Sequence, residues 1–203
     1  MRLCLSSLFV VLLVLLQGAS LATAAGSLDA IATDARDQLR QRILPYWYDT
    51  AIDWKQGGYS LCDDAVQGRC VPEEKQLVSQ ARMVWTFSHV HRKGFSTAER
   101  DYLKAARHGV EFLRRHMKDP ANGGYFWSVT LDGKPRDPRK RLYGEAFVIY
   151  ALVEYARASG DKDALQEAVE LFQLLQRKAH DPGHGGWMEH FERDWSPMPA
   201  KDP

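Results

Sequence analysis

A seven-residue mark, Asp-x-x-x-Gly-Gly-aromatic, occurs three times in this chain, at Asp53–Tyr59, Asp119–Tyr125 and Asp181–Trp187. The copies lie 66 and 62 residues apart with unchanged internal offsets. That is an internal repeat, and it constrains the fold before any local motif does. Each copy closes an amphipathic stretch and opens a short extended run, with room for two helices before the next copy. The unit therefore reads hairpin, helix, helix. Units of this kind bury their apolar faces against their neighbours, so a few of them build a solenoid or an arc of a closed ring of helix pairs.

The intervening segments alternate in character. Residues 27 to about 50 carry Leu28, Ile31, Ala35, Leu39, Ile43 and Trp47 near helical spacing, and Pro45 predicts a kink or an end. A second helix is expected from about Glu74 to Lys93, where Leu77, Val78, Ala81, Val84, Trp85 and Phe87 leave little polar face. Arg82 is the one charge among them, and it has to be buried or turned into a cleft. A buried guanidinium is costly without a carboxylate or a ligand oxygen beside it. Ser96-Thr97-Ala98-Glu99 has the form of a capping box and predicts the start of a third helix, amphipathic to about Met117. Tyr125–Val129 alternates, and Asp132-Gly133 reads as a hairpin turn. Leu142 to Ser159 is again apolar nearly all round. Gly160-Asp161 breaks it, and Asp163 to about His180 is amphipathic, with Leu165, Val169, Phe172 and Leu175 on its stripe. Helices apolar on every side alternate with half-polar ones, as the inner and outer layers of a helix ring would.

The N-terminus has a different logic. Arg2, the apolar run around Leu8–Leu16 and then Ala22-Thr23-Ala24 follow the order of a secretory signal, with cleavage expected near Ala24 or Ala25. The run is short for a membrane span, and an uncleaved anchor is the alternative. Residues 1–25 are thus expected to be a signal peptide and 26–203 the folded domain, secreted or periplasmic, with no membrane contact after cleavage. Arg2 is the only charge of the signal, so its removal takes the net charge of +1 to a balanced chain. A balanced chain has no electrostatic footprint for nucleic acid, which leaves neutral polar ligands as the better expectation. Cys62 and Cys70 flank Asp63–Arg69 with Gly68 as a turn residue. In an exported protein a disulfide across that hairpin is the favoured reading, with two free thiols as the alternative.

The seven histidines show no metal-ligand spacing, and no nucleophile elbow, phosphate loop or dinucleotide fingerprint occurs. No metal or cofactor is expected. Aromatic residues gather near the hairpins and the apolar helices. Most of them belong in a core, yet aromatic faces and neutral polar groups at the mouth of a helix ring would suit a sugar. Glu145, Glu189 and Asp194 could supply an acid/base pair for glycosidic cleavage. Partnering Arg82 or capping turns is the preferred reading for these carboxylates.

Ile43-Leu44-Pro45-Tyr46-Trp47, Asp53 to Gly58, Gln80 to Ser88, Tyr143 to Leu152 and Gly185 through Pro197 together resemble the N-acylglucosamine 2-epimerase family, and within it the cellobiose 2-epimerase branch. The matches span residues 36–199. The resemblance implies an all-α fold, an (α/α)6 barrel with short β-hairpins at one end. It also implies metal-free epimerisation or isomerisation at C2 of an aldose or reducing-end sugar, without a cofactor. A histidine takes the C2 proton of the ring-opened sugar, and the enediolate regains one with a second histidine as partner. Arg82 matches the family arginine that contacts substrate oxygens beside the reacting carbons, where a fixed cation stabilises developing negative charge. Tyr143 matches a pocket tyrosine, and Trp85 and Trp127 are expected to join it in holding a neutral mono- or oligosaccharide. Glu145 stands where the cellobiose branch carries glutamine. The acid/base histidines of the family lie in later helices. The resemblance therefore places them beyond Pro203 and makes 26–203 the N-terminal half of a barrel, about six helices, inactive alone. The alternatives are a glycoside hydrolase or lyase using paired carboxylates on the same barrel, and a non-catalytic carbohydrate-binding module.

Overall fold

The computed structural model of the chain describes residues 27–61, 63–64, 68–69 and 72–199. The expected signal at 1–25 and both Cys62 and Cys70 lie outside the described residues. Two compact units divide the chain between Tyr46 and Trp47. The first holds a helix over 27–38 (α1) and a π turn, Leu39–Ile43, which leads into α2, Leu44–Ala51. Pro45 does not end this helix. The π turn closes on a bond from Leu44 N–H to Leu39 O. Proline, which lacks an N–H and crowds the carbonyl four residues back, follows where that wider turn has already broken the regular ladder.

In the second unit the three repeated marks fold alike. The aspartate N–H donates to the carbonyl of the second glycine, at 3.0 Å from Asp53, 2.8 Å from Asp119 and 3.0 Å from Asp181. The N–H of the first glycine returns to the aspartate carbonyl at 2.9 Å in the first copy and 3.0 Å in the other two. An isolated antiparallel bridge closes each loop: Ile52 with Tyr59, Lys118 with Tyr125, His180 with Trp187. All six glycines have φ between 65° and 88°. A Cβ is disfavoured there, and that is why the pair is Gly-Gly each time.

Between the marks run α3 (Leu77–Arg92), α4 (Tyr102–Phe112), α5 (Leu142–Ser159) and α6 (Lys162–Lys178). α3 packs chiefly on α5 and α4, and α5 on α3 and α6. The alternation seen in the sequence is thus a real layering: the two nearly all-apolar helices lie together, each backed by an amphipathic one. Several short strands stitch the turns to the helices. β1 (Asp63–Asp64) pairs with β2 (Gly68–Arg69), Asp63 opposite Arg69. β3 (Lys75–Gln76) pairs with β4 (Ser128–Val129), which pairs in turn with β5 (Pro135–Asp137) around the expected Asp132-Gly133 turn. β6 (Lys140–Arg141) pairs with β7 (His190–Phe191) in the same way as β3 with β4. Leu77 N donates to Trp127 O at 2.9 Å, and Leu142 N to Glu189 O at 3.0 Å. The start of each inner helix is therefore tied to the segment that follows the next mark.

Three expectations need correcting. α3 begins at Leu77 and not at Glu74, because Lys75 and Gln76 are taken into β3. Ser96 to Glu99 does not form the capping box of α4, although Ser96 Oγ accepts from Tyr102 N at 3.3 Å. Thr97 Oγ1 accepts from Arg100 N in a turn of its own, and Asp101 caps the helix by accepting from Lys104 N at 3.0 Å. The apolar stripe of α6 is split: Leu171 and Leu175 are buried, whereas Leu165, Val169 and Phe172 are 48%, 42% and 49% exposed. Its apolar arc is wider than α5 alone can cover. Gly160, at φ 76°, ends α5, and Asp161 caps α6 through Ala164 N at 3.0 Å.

Candidate active site

The marks are closed by residues from outside them. In the first, Asp53 Oδ1 accepts from the N–H groups of Lys55 and Gln56, while Oδ2 takes Lys75 Nζ at 2.9 Å. That ammonium also donates to Gly57 O at 2.6 Å and Leu131 O at 3.0 Å, so a buried cation has three acceptors. In the second, Lys140 Nζ reaches Asp119 Oδ2 at 3.0 Å, and Arg193 adds Nε and Nη2 bonds at 3.0 and 3.1 Å. Burial works against the Asp119 charge, but the bonds from Arg193 and Lys140 outweigh it and hold the carboxyl well below the usual range. Gln80 grips the backbone of Tyr59 with both ends of its amide, accepting from its N–H and donating to its carbonyl, each at 2.8 Å. Glu145 occupies the same place under Tyr125, accepting from its N–H at 2.9 Å.

These lysines and Gln80 were not singled out as sequence. The signal was present: Lys75-Gln76-Leu77 with Gln80-Ala81, and Lys140-Arg141-Leu142 with Glu145-Ala146, repeat one short pattern. The turns hold the start of α3 and α5 in place, and so aim the faces those helices present.

That shared face carries an aromatic band. Tyr143, 53% exposed, meets Phe147 edge-on at 4.9 Å, and Phe147 meets Tyr150 at 6.2 Å. Tyr150 stacks on Trp85 at 4.9 Å, and Trp85 stacks on His89 at 4.6 Å, with 11° between the planes in both pairs. His89 Nδ1 is 2.9 Å from Glu154 Oε1, which also accepts from Arg92 Nε at 2.8 Å. Burial raises the Glu154 carboxyl, and the bonds from Arg92 and His89 more than reverse that, holding it ionised. Arg82 lies one turn before Trp85 and Thr86 on α3, which puts it on this side of the helix. It is exposed and not buried, and among the described residues it makes no ion pair or hydrogen bond.

The four sequence-predicted binding residues therefore divide. Arg82, Trp85 and Tyr143 belong to the α3–α5 face. Trp85 is already stacked with two protein rings, so it builds the wall more than it offers a free ring. Trp127 sits apart at the hairpin end. Arg141 covers its ring at 4.1 Å, and Gly144 lets it approach so closely that an added Cβ there would stand 3.1 Å from the ring. It lines an open cleft of about 550 Å³ with Glu74, Ser128, Arg136, Asp137 and Arg139 among others. The three carboxylates do not converge. Glu145 is fully buried, Glu189 accepts from Tyr143 N at the start of α5, and Asp194 accepts from Ser196 within its own turn. Among the described residues no cluster of three His, Cys, Asp or Glu is placed to hold a metal ion, and no helix is long and apolar enough to cross a membrane.

Residues 57–203 match the family described as N-acylglucosamine 2-epimerase (GlcNAc 2-epimerase). The chain is 30% identical over 168 residues to the cellobiose 2-epimerase of Bacteroides fragilis, covering 83% of this chain and 42% of that protein. It superposes on the cellobiose 2-epimerase of Spirochaeta thermophila with a TM-score of 0.80 and 38% identity, over 88% of this chain and 43% of the other. A D-mannose isomerase superposes with a TM-score of 0.69 and 26% identity, over 79% and 39% of the two chains. The chain thus spans about two-fifths of the length of these relatives. With the family match running from the first Gly-Gly pair through both inner helices and the last hairpin, the chain belongs to the N-acylglucosamine 2-epimerase family.

Proposed function

We propose that this chain supplies the substrate-orienting part of an exported sugar 2-epimerase or isomerase, with residues 26–203 forming the first half of an (α/α)6 barrel. One observation carries the reading. Arg82 is a cation with no protein partner among the described residues, held on a helix face lined with aromatic rings. A fixed guanidinium beside a ring-lined wall can bind the hydroxyl and carbonyl oxygens of an open-chain sugar and stabilise the enediolate that forms when its C2 proton leaves. Tyr143 adds an exposed hydroxyl to the same face. The two histidines that remove and return the proton are assigned to residues beyond Pro203, and the 203-residue chain alone is expected to turn over no aldose. The exposed apolar side chains of α6 support that assignment, since Leu165, Val169 and Phe172 are suited to packing against further helices.

The named relatives are called cellobiose 2-epimerases and a D-mannose isomerase and the family an N-acylglucosamine 2-epimerase, so a neutral mono- or oligosaccharide is the substrate class. The hydrolase reading is disfavoured because Glu145, Glu189 and Asp194 are each engaged in local bonds. Export rests on the signal-like residues 1–25. The Cys62–Cys70 disulfide rests on that compartment and is supported by the Asp63–Arg69 pairing just inside it. The test is to express the gene product at the length of its relatives and incubate it in D2O with cellobiose, mannose or N-acetylglucosamine. Deuterium at C2 with interconversion of epimers, or aldose–ketose exchange, is the expected result. Release of glucose from cellobiose without exchange would replace the reading with hydrolysis.

A further inference from the structure

Gln80 and Glu145 are an internal control for one another. Both lie five residues after a buried lysine that bonds the aspartate of the turn, and both lie under the aromatic residue that ends that turn. Both also occupy the space against the second glycine: a Cβ on Gly58 would stand 2.6 Å from Gln80 Oε1, and one on Gly124 2.8 Å from Glu145 Oε1. In the first copy the amide makes two bonds, accepting from Tyr59 N–H and donating to Tyr59 O. In the second, Glu145 Oε1 accepts from Tyr125 N–H, and Oε2 is buried without a hydrogen-bond partner. It is the one such side-chain atom among the described residues.

A carboxylate has no proton to give the carbonyl that Gln80 Nε2 serves in the first copy, whereas a carboxylic acid has one. We infer that Glu145 is held as a neutral acid whose Oε2–H donates to the Tyr125 carbonyl, so that it does the work of an amide and forms a pH-sensitive latch on the second turn.

The groups around it fit. Lys140, ahead of α5, is committed to Asp119 of the turn, and Arg193 from the last hairpin is bonded to the same aspartate. Tyr125 gives its hydroxyl to Glu167 of α6 at 2.8 Å, and that carboxylate takes Arg114 and Lys118. Among the described residues no cation makes an ion pair with Glu145, and Lys140, the cation that acts on it, is bonded to Asp119. Burial pushes its carboxyl up to about 8, and Asp119 pushes it in the same direction, while the Tyr125 N–H and Lys140 pull it down. The latch joins the hairpin bearing Trp127 to the first turn of α5 bearing Tyr143. Its opening at alkaline pH would loosen the mark against Trp195, whose ring packs on Gly124.

The sign follows from proton linkage. An acid raised in the folded state lends stability that is complete below its unfolded value near 4.5 and is lost as pH rises to its folded value. The experiment is urea unfolding of the 203-residue chain and its Glu145→Gln variant from pH 4.5 to 9. The ratio of the two unfolding constants should grow about tenfold per pH unit against the native chain and level off near 8. The Gln80→Asn variant, which leaves Glu145 in place, should retain the native chain's slope. A ratio that is flat above pH 5, or a variant less stable than the native chain at pH 7, would overturn the latch. If Glu145→Gln does not fold, carboxyl carbon NMR of the native chain decides. A buried glutamate titrating near 8 supports the inference, and all glutamates titrating below 5 refute it.

Discussion

The first two repeated turns and the third have the same backbone and different surroundings. Asp53 and Asp119 are each closed by a fully buried lysine, and the glycines behind them are pressed by Phe112 in one copy and by Leu174 and Trp195 in the other. Asp181 keeps the inner bonds, to the N–H groups of Gly183 and His184, and among the described residues its outer oxygen bonds only the exposed His184 ring. Gly185 and Gly186 have nothing within 4 Å of an added Cβ, and Trp187 is 42% exposed where Tyr59 and Tyr125 are buried. The comparison separates two things the motif does. Local hydrogen bonds and two left-handed glycines are sufficient to make the loop. Its contribution to stability comes from the neighbour that closes it.

The largest test of that separation is Lys140→Met, which leaves the buried Asp119 with Arg193 as its one cation among the described residues. It should destabilise the chain by about 3 kcal/mol. That corresponds to a fall of roughly 6–12 °C in Tm. Asp181→Asn, its counterpart in the third copy, should leave Tm unchanged within error. Next in size is Gly124→Ala, which combines a positive φ with contact against Trp195 and Glu145 and should cost about 2–3 kcal/mol. Gly186→Ala meets only the backbone term, about 1 kcal/mol. Equal losses at the two sites would break the comparison. Gln80→Glu should make the first turn behave like the second, near neutral at pH 4.5 and losing about 1.4 kcal/mol per pH unit above it until the buried acid ionises. The smallest effect expected is that of Arg82→Ala, within about 0.5 kcal/mol of the parent, because the side chain is exposed and has no partner to lose among the described residues.

Much of this architecture was legible in the residues. The repeated mark located the turns, and the contrast between the all-apolar Leu142–Ser159 and the amphipathic helices around it gave the two layers. Three features escaped for physical reasons. Ser96 to Glu99 has the pattern of a capping box, but Asp101 offers a stronger acceptor closer to the apolar run, and the helix starts there. Lys75 and Lys140 go unmentioned in a reading of the sequence, since nothing local shows that a lysine will be buried. Only its offset from the aspartate of the preceding mark betrays it. The α6 stripe reads as a single core face, while Leu165, Val169 and Phe172, three of its four residues, are exposed, because amphipathicity shows which side of a helix is apolar and not how many neighbours cover it. For the site, resemblance picked out Arg82 and Tyr143. The stacking of Trp85 between His89 and Tyr150, and the Glu154 cluster beneath it, depend on the α3–α5 contact and have no signature in either helix alone.

The central claim is that Arg82 is spare for folding and required for the sugar. The direct measurement is deuterium incorporation at C2 of cellobiose and mannose by the relatives-length gene product, taken for the parent, Arg82→Ala and Arg82→Lys alongside thermal melts of each. The account predicts three superimposable melts, with kcat/KM for exchange lowered at least a hundredfold by alanine and only partly rescued by lysine, as the loss of a transition-state cation would give. Exchange that persists unchanged in Arg82→Ala, with the melts still superimposable, would contradict it.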